Sequence, residues 1–287
     1  MSLVTREKHI VDKVPTKCRV YDYLPGKLEI ISSRKGIKKA LKRGQIYRNG
    51  KVIFESDYVY ENDIIELKID EQKTKPFLKS IAVLYEDDFL AVVDKPPGLV
   101  VSGNRWKTLE HALVNNLKKS VQDDYLPFPL AAHRIDAMTG GLVLIAKTYS
   151  TRKFLGELFE NQEIDKEYYA VVHGEGENNF SESQNIEGKK AQTDFKTLKV
   201  VSYRDEKISL LNCSPISGRR HQIRIHLANN DLPIIADKKY GKNTLDLDRK
   251  ALFLYSKKLS FNHPVSNEKI EVERKLPKRF RQLFGEF

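Results

Sequence analysis

Cysteine is scarce: across 287 residues only Cys18 and Cys213 occur, and neither belongs to a Cys-x-x-Cys pair. A disulfide framework and a zinc ribbon are therefore excluded as the basis of folding, and a reducing cytoplasm is the expected setting. Long apolar runs are missing as well. Nothing approaches the ~20 residues that span a bilayer, and the start, Met1 to Lys8, lacks an apolar core followed by small residues. Neither membrane insertion nor secretion is expected. The P-loop, Gly-x-Gly-x-x-Gly and Gly-x-Ser-x-Gly signatures are absent too. Their absence argues against nucleotide-dependent chemistry and common serine hydrolases, leaving a mechanism without a cofactor. His221 and His226 do not share a helical face as a His-x-x-x-His pair would, so no metal site is expected.

What is present is positive charge. Fifty Lys and Arg against 39 Asp and Glu give a formal net charge of +11, which points to a polyanionic partner. The charge is concentrated early. Between Ile30 and Phe54 there is no acid, while Arg34, Lys35, Lys38, Lys39, Lys42 and Arg43 crowd one segment. Ser32 or Ser33 can cap a helix there, Ile37, Ala40 and Leu41 share its apolar face, and Gly44 stops it. Asn49 Gly50 between Gln45–Arg48 and Lys51–Phe54 predicts a two-residue hairpin, and Ile64–Ile69 a further strand. A basic helix with a hairpin can lie along phosphates, giving affinity with little sequence discrimination. The polar run Asp70–Lys75 before Pro76 predicts a linker, hence a small basic α/β domain over 1–75 and a larger one over 76–287.

Beyond Ile81 strands and helices alternate. Ala91–Val93, Leu142–Ala146, Tyr168–Val172, Thr193–Val201 and Ile208–Cys213 predict strands; Thr108–Leu117 and a segment capped by Ser150 predict helices; Pro127 and Pro129 punctuate. The fold class is α+β on a mixed, largely antiparallel sheet. Asp136 lies in a polar loop before Gly140 Gly141, where backbone or ligand can approach closely. Taken alone, such an aspartate is usually a turn residue. A second cluster, Ser217–His226, gathers Arg219, Arg220, His221 and Arg224 at a helix start, with Arg220 and Arg224 sharing a face at helical spacing. An arginine beside a carboxylate keeps it ionised, as a nucleophile or base requires.

Four blocks then coincide in order and spacing: Tyr85–Asp88 through Lys95–Gly98, His133–Asp136 through Lys147, Lys166–Gly174, and Ser217–Arg219 through His226–Ala228. Together they resemble the RluA-type pseudouridine synthases over Ile81 to Pro264. The first domain resembles the αL type of RNA-binding domain through Ser33 Arg34, Gly44, Asn49–Lys51 and Asn62 Asp63. The resemblance implies a pseudouridine synthase fold and an isomerase that detaches uracil from its ribose, rotates it and rejoins it through C5. It makes Asp136 the essential aspartate, Tyr168 the active-site tyrosine, Arg224 the arginine that pairs with the aspartate, and Arg134 the residue that enters the helix vacated by a flipped uridine. His133, Lys166 and Arg219 join them as RNA contacts. The implied partner is structured RNA, ribosomal RNA ahead of transfer RNA, acted on by a monomer with no obligate protein partner. Gly140, Ala236 and Leu254–Ser256 depart from the family's usual Ser, Gly and Leu-His-Ala. Two rival readings are a non-catalytic RNA-binding or ribosome-assembly protein and a carboxylate hydrolase. The latter calls for a second positioned carboxyl group, and none stands out in the sequence.

Overall fold

The two faces of one apolar run show how the larger half is built. Along Gly140–Thr148 every residue is buried, because Val143 and Ile145 enter one core while Leu142, Leu144 and Ala146 enter another on the opposite side. A strand covered on both faces needs no polar alternation. Its neighbour Leu90–Lys95 divides the same way, with Ala91 and Val93 on one side and Leu90 and Val92 on the other.

The computed structural model describes residues 3–14, 17–70, 76–103, 105–241 and 251–285. The chain forms two compact units, Met1–Lys75 and Pro76–Phe287. The expected linker over 71–75 lies outside the described residues.

In the first unit, helix Arg34–Lys42 is capped by Ser33, whose Oγ accepts from the Gly36 amide at 3.1 Å. Ile37, Ala40 and Leu41 are buried, and the six cations expected on the other face are all exposed. Asn49 and Gly50 both have positive φ, as a tight turn between Ile46–Arg48 and Lys51–Val52 requires. The sheet order is Leu3–Ile10, Ile64–Asp70, Ile46–Arg48, Lys51–Val52. Sequence reading missed the first of these strands. Its one continuous cue is pairing with Ile64–Asp70, which lies far along the chain.

The second unit carries a ten-stranded sheet. Its order is Asn179–Glu182, Thr193–Tyr203, Glu206–Pro215, Asp165–His173, Leu254–Asn262, Gly140–Thr148, Leu90–Lys95, Ala82–Glu86. Lys269–Glu273 pairs with Leu254–Asn262, and Tyr125–Ala131 with Gly140–Thr148. All described ladders are antiparallel except Gly140–Thr148 beside Leu254–Asn262. The fold class is therefore α+β with a mixed, mostly antiparallel sheet.

Three local expectations need correction. Pro127 and Pro129 do not interrupt the sheet; they lie inside Tyr125–Ala131, which pairs on one side only, where a missing amide proton is tolerated. Helix Tyr149–Glu160 is capped by Thr148, which accepts from the Thr151 amide at 3.1 Å, so Ser150 already lies within it. The helix expected over Thr108–Leu117 closes early, spanning Leu109–Leu113.

Two of the departures from the family pattern meet in the structure: a Cβ on Gly140 would stand 3.1 Å from the Tyr255 ring, so a side chain there would crowd the tyrosine. Ala236 has a φ of 64°, a left-handed conformation in which glycine is relaxed and alanine is strained by about 1 kcal/mol. Ala236→Gly is accordingly expected to stabilise the larger unit by about that amount, raising its thermal midpoint by about 2–4 °C. Differential scanning calorimetry would show this, and an unchanged or lower midpoint would contradict the strain argument.

Candidate active site

Asp136 owes its position to a turn held from behind. The Thr139 amide donates to the Asp136 carbonyl at 3.1 Å, closing the turn, and Ile135 is buried in the core, so its neighbour faces outward. The next carbonyl, Ala137, accepts twice: from the Gly98 amide at 2.7 Å and from Lys95 Nζ at 3.0 Å. Lys95 is fully buried. It also donates to the carbonyls of Leu99 at 2.8 Å and Pro96 at 3.1 Å, matching an ammonium's three donors. Burial pulls its pKa down to about 7, against the attraction of Asp136 and Asp94.

Arg224 arrives from helix Gln222–Asn229. Its Nη1 donates to Asp136 Oδ2 at 2.8 Å, while Nε and Nη2 grip both oxygens of Asp237 at 2.7 and 2.8 Å. A forked carboxylate contact of this kind fixes the guanidinium plane. Asp237 is itself fully enclosed and accepts from the amides of Lys239 and Tyr240. Burial opposes its charge, but the Arg224 hydrogen bond and charge together with the Lys239 and Tyr240 amides outweigh it and hold the carboxyl below its ordinary range. Burial likewise opposes the charge on Arg224, and the two aspartates more than restore it. Asp237 is not among the residues that the sequence singles out. Being sealed in, it is a clamp for Arg224 and not the second reactive carboxyl that a glycoside hydrolase would need.

The helix starts later than its sequence spacing implied. It begins at Gln222, with His221 at a left-handed φ of 57° before it, so Arg220 lies outside the helix and does not share its face with Arg224. Gln222 explains the sharp start. Its side chain accepts from Ser217 Oγ at 2.6 Å and the Arg219 amide at 3.0 Å, and donates to Gln192 and Thr193. Ile223 and Leu227 pack into the core. His226 is buried against Thr193 and Gln184, facing partners different from those of His221.

Tyr168 sits in strand Asp165–His173, opposite Cys213 on one side and Ser256 on the other. The ladder slips between Glu167 and Tyr168, and such bulges re-aim side chains. Burial, aided by Asp136, pushes its phenol up to about 12, so the hydroxyl stays protonated at neutral pH. Lys166, two residues earlier on the same strand face, has its pKa lowered by burial.

These groups line a cavity of about 350 Å3 that includes Asp136, Tyr168, Lys166, Arg219, Arg224 and Arg134. An adjoining cavity of about 800 Å3 shares Asp136 and is rimmed by Arg105, Arg220, Lys238 and Lys239. Arg134 is exposed where the two meet, and nothing among the described residues holds its guanidinium. Arg219 is steadied by the Lys190 carbonyl at 3.0 Å. His133 lines the same cavity and also has a structural part. Its Nε2 accepts from the Leu144 amide at 3.0 Å, and burial lowers its pKa to about 3, so the ring is neutral and braces the strand beside Phe159. The arrangement offers one accessible carboxylate, hydrogen-bonded to an arginine, beside a protonated phenol in a cationic pocket sized for a nucleoside.

Comparison with known proteins identifies the family. Residues 89–229 match the family described as RNA pseudouridylate synthase. An RNA pseudouridine synthase of Aquifex aeolicus is 30% identical over 282 aligned positions, covering 88% of this chain and 89% of that protein. Ribosomal large subunit pseudouridine synthase C of Rickettsia felis is 30% identical over 311 positions, covering 96% and 99%. The solved structure of human RNA pseudouridylate synthase domain containing 1 superposes with a TM-score of 0.57 at 21% identity, covering 73% of this chain and 87% of that one, and so bears on the fold. By sequence and fold, the chain belongs to the RluA-type RNA pseudouridine synthases, enzymes that isomerise uridine in RNA.

Proposed function

We propose that the enzyme isomerises uridines in structured RNA, ribosomal RNA foremost, with Asp136 as the reactive carboxylate and the target uridine flipped into the cavity beside Tyr168. The observation that carries this reading is the Asp136–Arg224–Asp237 arrangement: one carboxylate open to the cavity, its arginine locked by a buried second aspartate. Asp136 acts at the sugar to break the glycosidic bond. Tyr168 stacks on the uracil or assists loss of the C5 proton, as a protonated phenol placed beside the carboxylate can. Extruding a base costs about a few kcal/mol, least in a loop, and Arg134 at the cavity edge fills the gap it leaves. The ribosomal preference rests on the named activity of the Rickettsia relative and on the basic first unit. Tritium release from C5-labelled uridine tests reaction and substrate together, with ribosomal and transfer RNA assayed separately. Release from transfer RNA alone would overturn the ribosomal assignment.

The first unit, read as an αL-type RNA-binding domain, holds phosphates through its exposed helix face. Two of the six cations meet acids from elsewhere in that unit: Arg34 lies 3.6 Å from Asp22 and Lys38 lies 3.5 Å from Glu55. Lys35, Lys39, Lys42 and Arg43 are the stronger phosphate ligands. Replacing Lys35, Lys39 and Lys42 by glutamine is expected to weaken RNA binding and reduce its log–log salt slope by about 0.7–0.9 for each phosphate no longer neutralised. Filter binding over a salt series measures this, and an unaltered slope would rule out a role for these lysines at the phosphates.

A further inference from the structure

One group beside Asp136 has no part in the chemistry so far. Arg224 occupies Oδ2, whereas Oδ1 faces the His221 ring, with Nε2 3.7 Å away. That separation is too long for a hydrogen bond and short enough for an ion pair. The ring is fixed from its other side. Nδ1 lies 3.1 Å from the Tyr240 hydroxyl, and the two rings meet edge to face at 5.7 Å. Tyr240 is tied to the same clamp, since its amide donates to Asp237 and its ring lies 5.1 Å from the Arg224 guanidinium. His221 stands at the helix N-cap, yet its side chain makes no capping bond, and its φ of 57° is a costly conformation for a non-glycine residue. Helix initiation alone does not account for this placement.

We propose, resting on the reading of Asp136 as the reactive carboxylate, that His221 is a positioning residue: held by Tyr240, it presents Nε2–H to Asp136 Oδ1 and orients the oxygen that Arg224 leaves open. A phenol donating to Nδ1 puts the ring proton on Nε2, which is the nitrogen facing Oδ1. The charged and titratable groups around the ring are Asp136 from its turn, Arg224 from the same helix, Arg220 from the preceding turn, and Lys239 and Tyr240 from the segment after Asp237. Burial, opposed by Asp136 and reinforced by the cations, holds the ring below the ordinary histidine range, so it is neutral at working pH. On acidification the imidazolium pairs fully with Oδ1 and withdraws that oxygen from the substrate.

The test is single-turnover tritium release from C5-labelled ribosomal RNA by the full chain, followed from about pH 5 to 8. His221→Ala is expected to slow the reaction about tenfold or more while leaving RNA affinity unchanged. His221→Gln, whose amide donates but does not titrate, should recover most of that rate and lose the acid fall-off. Tyr240→Phe removes the hydroxyl that holds Nδ1 and sets the ring proton on Nε2, so its rate should fall toward that of His221→Ala. A wild-type rate in His221→Ala, the same acid profile in His221→Gln as in wild type, or a wild-type rate in Tyr240→Phe would each overturn the assignment. An Asp136→Asn control separates the two readings: turnover there refutes Asp136 itself, whatever the His221 variants do.

Discussion

Asp136→Asn is expected to lower turnover on the order of 10⁴-fold while RNA binding stays at the wild-type level. The amide keeps the shape of the carboxylate and can still accept from Arg224, but it has neither the charge nor the basicity to act at the sugar. The fold should not suffer. Asp237 still grips Arg224 through two hydrogen bonds, and Lys95 and Gly98 still pin the carbonyl after residue 136. Tritium release paired with filter binding separates chemistry from affinity. Turnover within about tenfold of wild type would remove Asp136 from the reaction.

Gly141→Ala should have the largest effect on stability, about 4 kcal/mol or more. A Cβ there would stand 2.6 Å from the Ser256 amide nitrogen and closer still to its carbonyl oxygen, both backbone atoms without a rotamer to escape into. The φ of 109° adds strain of its own. This is the one parallel pairing among the described ladders, and Tyr168 pairs with Ser256 from the other side. Forcing the strands apart would therefore move Asp136 relative to Tyr168. Denaturant unfolding would register the loss of stability, and a variant within about 1 kcal/mol of wild type would mean that the strands can separate cheaply.

Much of the candidate site was legible only through the resemblance of four ordered blocks, since Asp136 by itself reads as a turn residue. Asp136, Tyr168 and Arg224 are drawn from three separated blocks and line one cavity. Asn49 Gly50 and the apolar run Leu142–Ala146 announce their structure locally, since turn chemistry and continuous burial are written in neighbouring residues. Asp237 and Gln222 were not legible. Their roles come from partners brought together by folding, and a buried carboxylate looks in sequence like any surface one. His133 is a further case: expected among the RNA contacts, it also braces a strand, and only the Leu144 amide reveals that second role. The start of helix Gln222–Asn229 escaped because spacing cannot register a left-handed residue at its cap.

The proline-bearing strand Tyr125–Ala131 has a consequence for self-association. It lies at a margin of the sheet, where exposed amide protons would invite a strand from a second copy. Its alternate positions have nothing to give. Pro127 and Pro129 carry no amide proton, the Tyr125 amide is taken by the Gln122 carbonyl, and the Ala131 amide by the Glu110 carboxyl group. A ten-stranded sheet is thus closed to strand addition at this margin by two prolines, a turn and one glutamate from helix Leu109–Leu113, which leaves no template there for edge-to-edge aggregation.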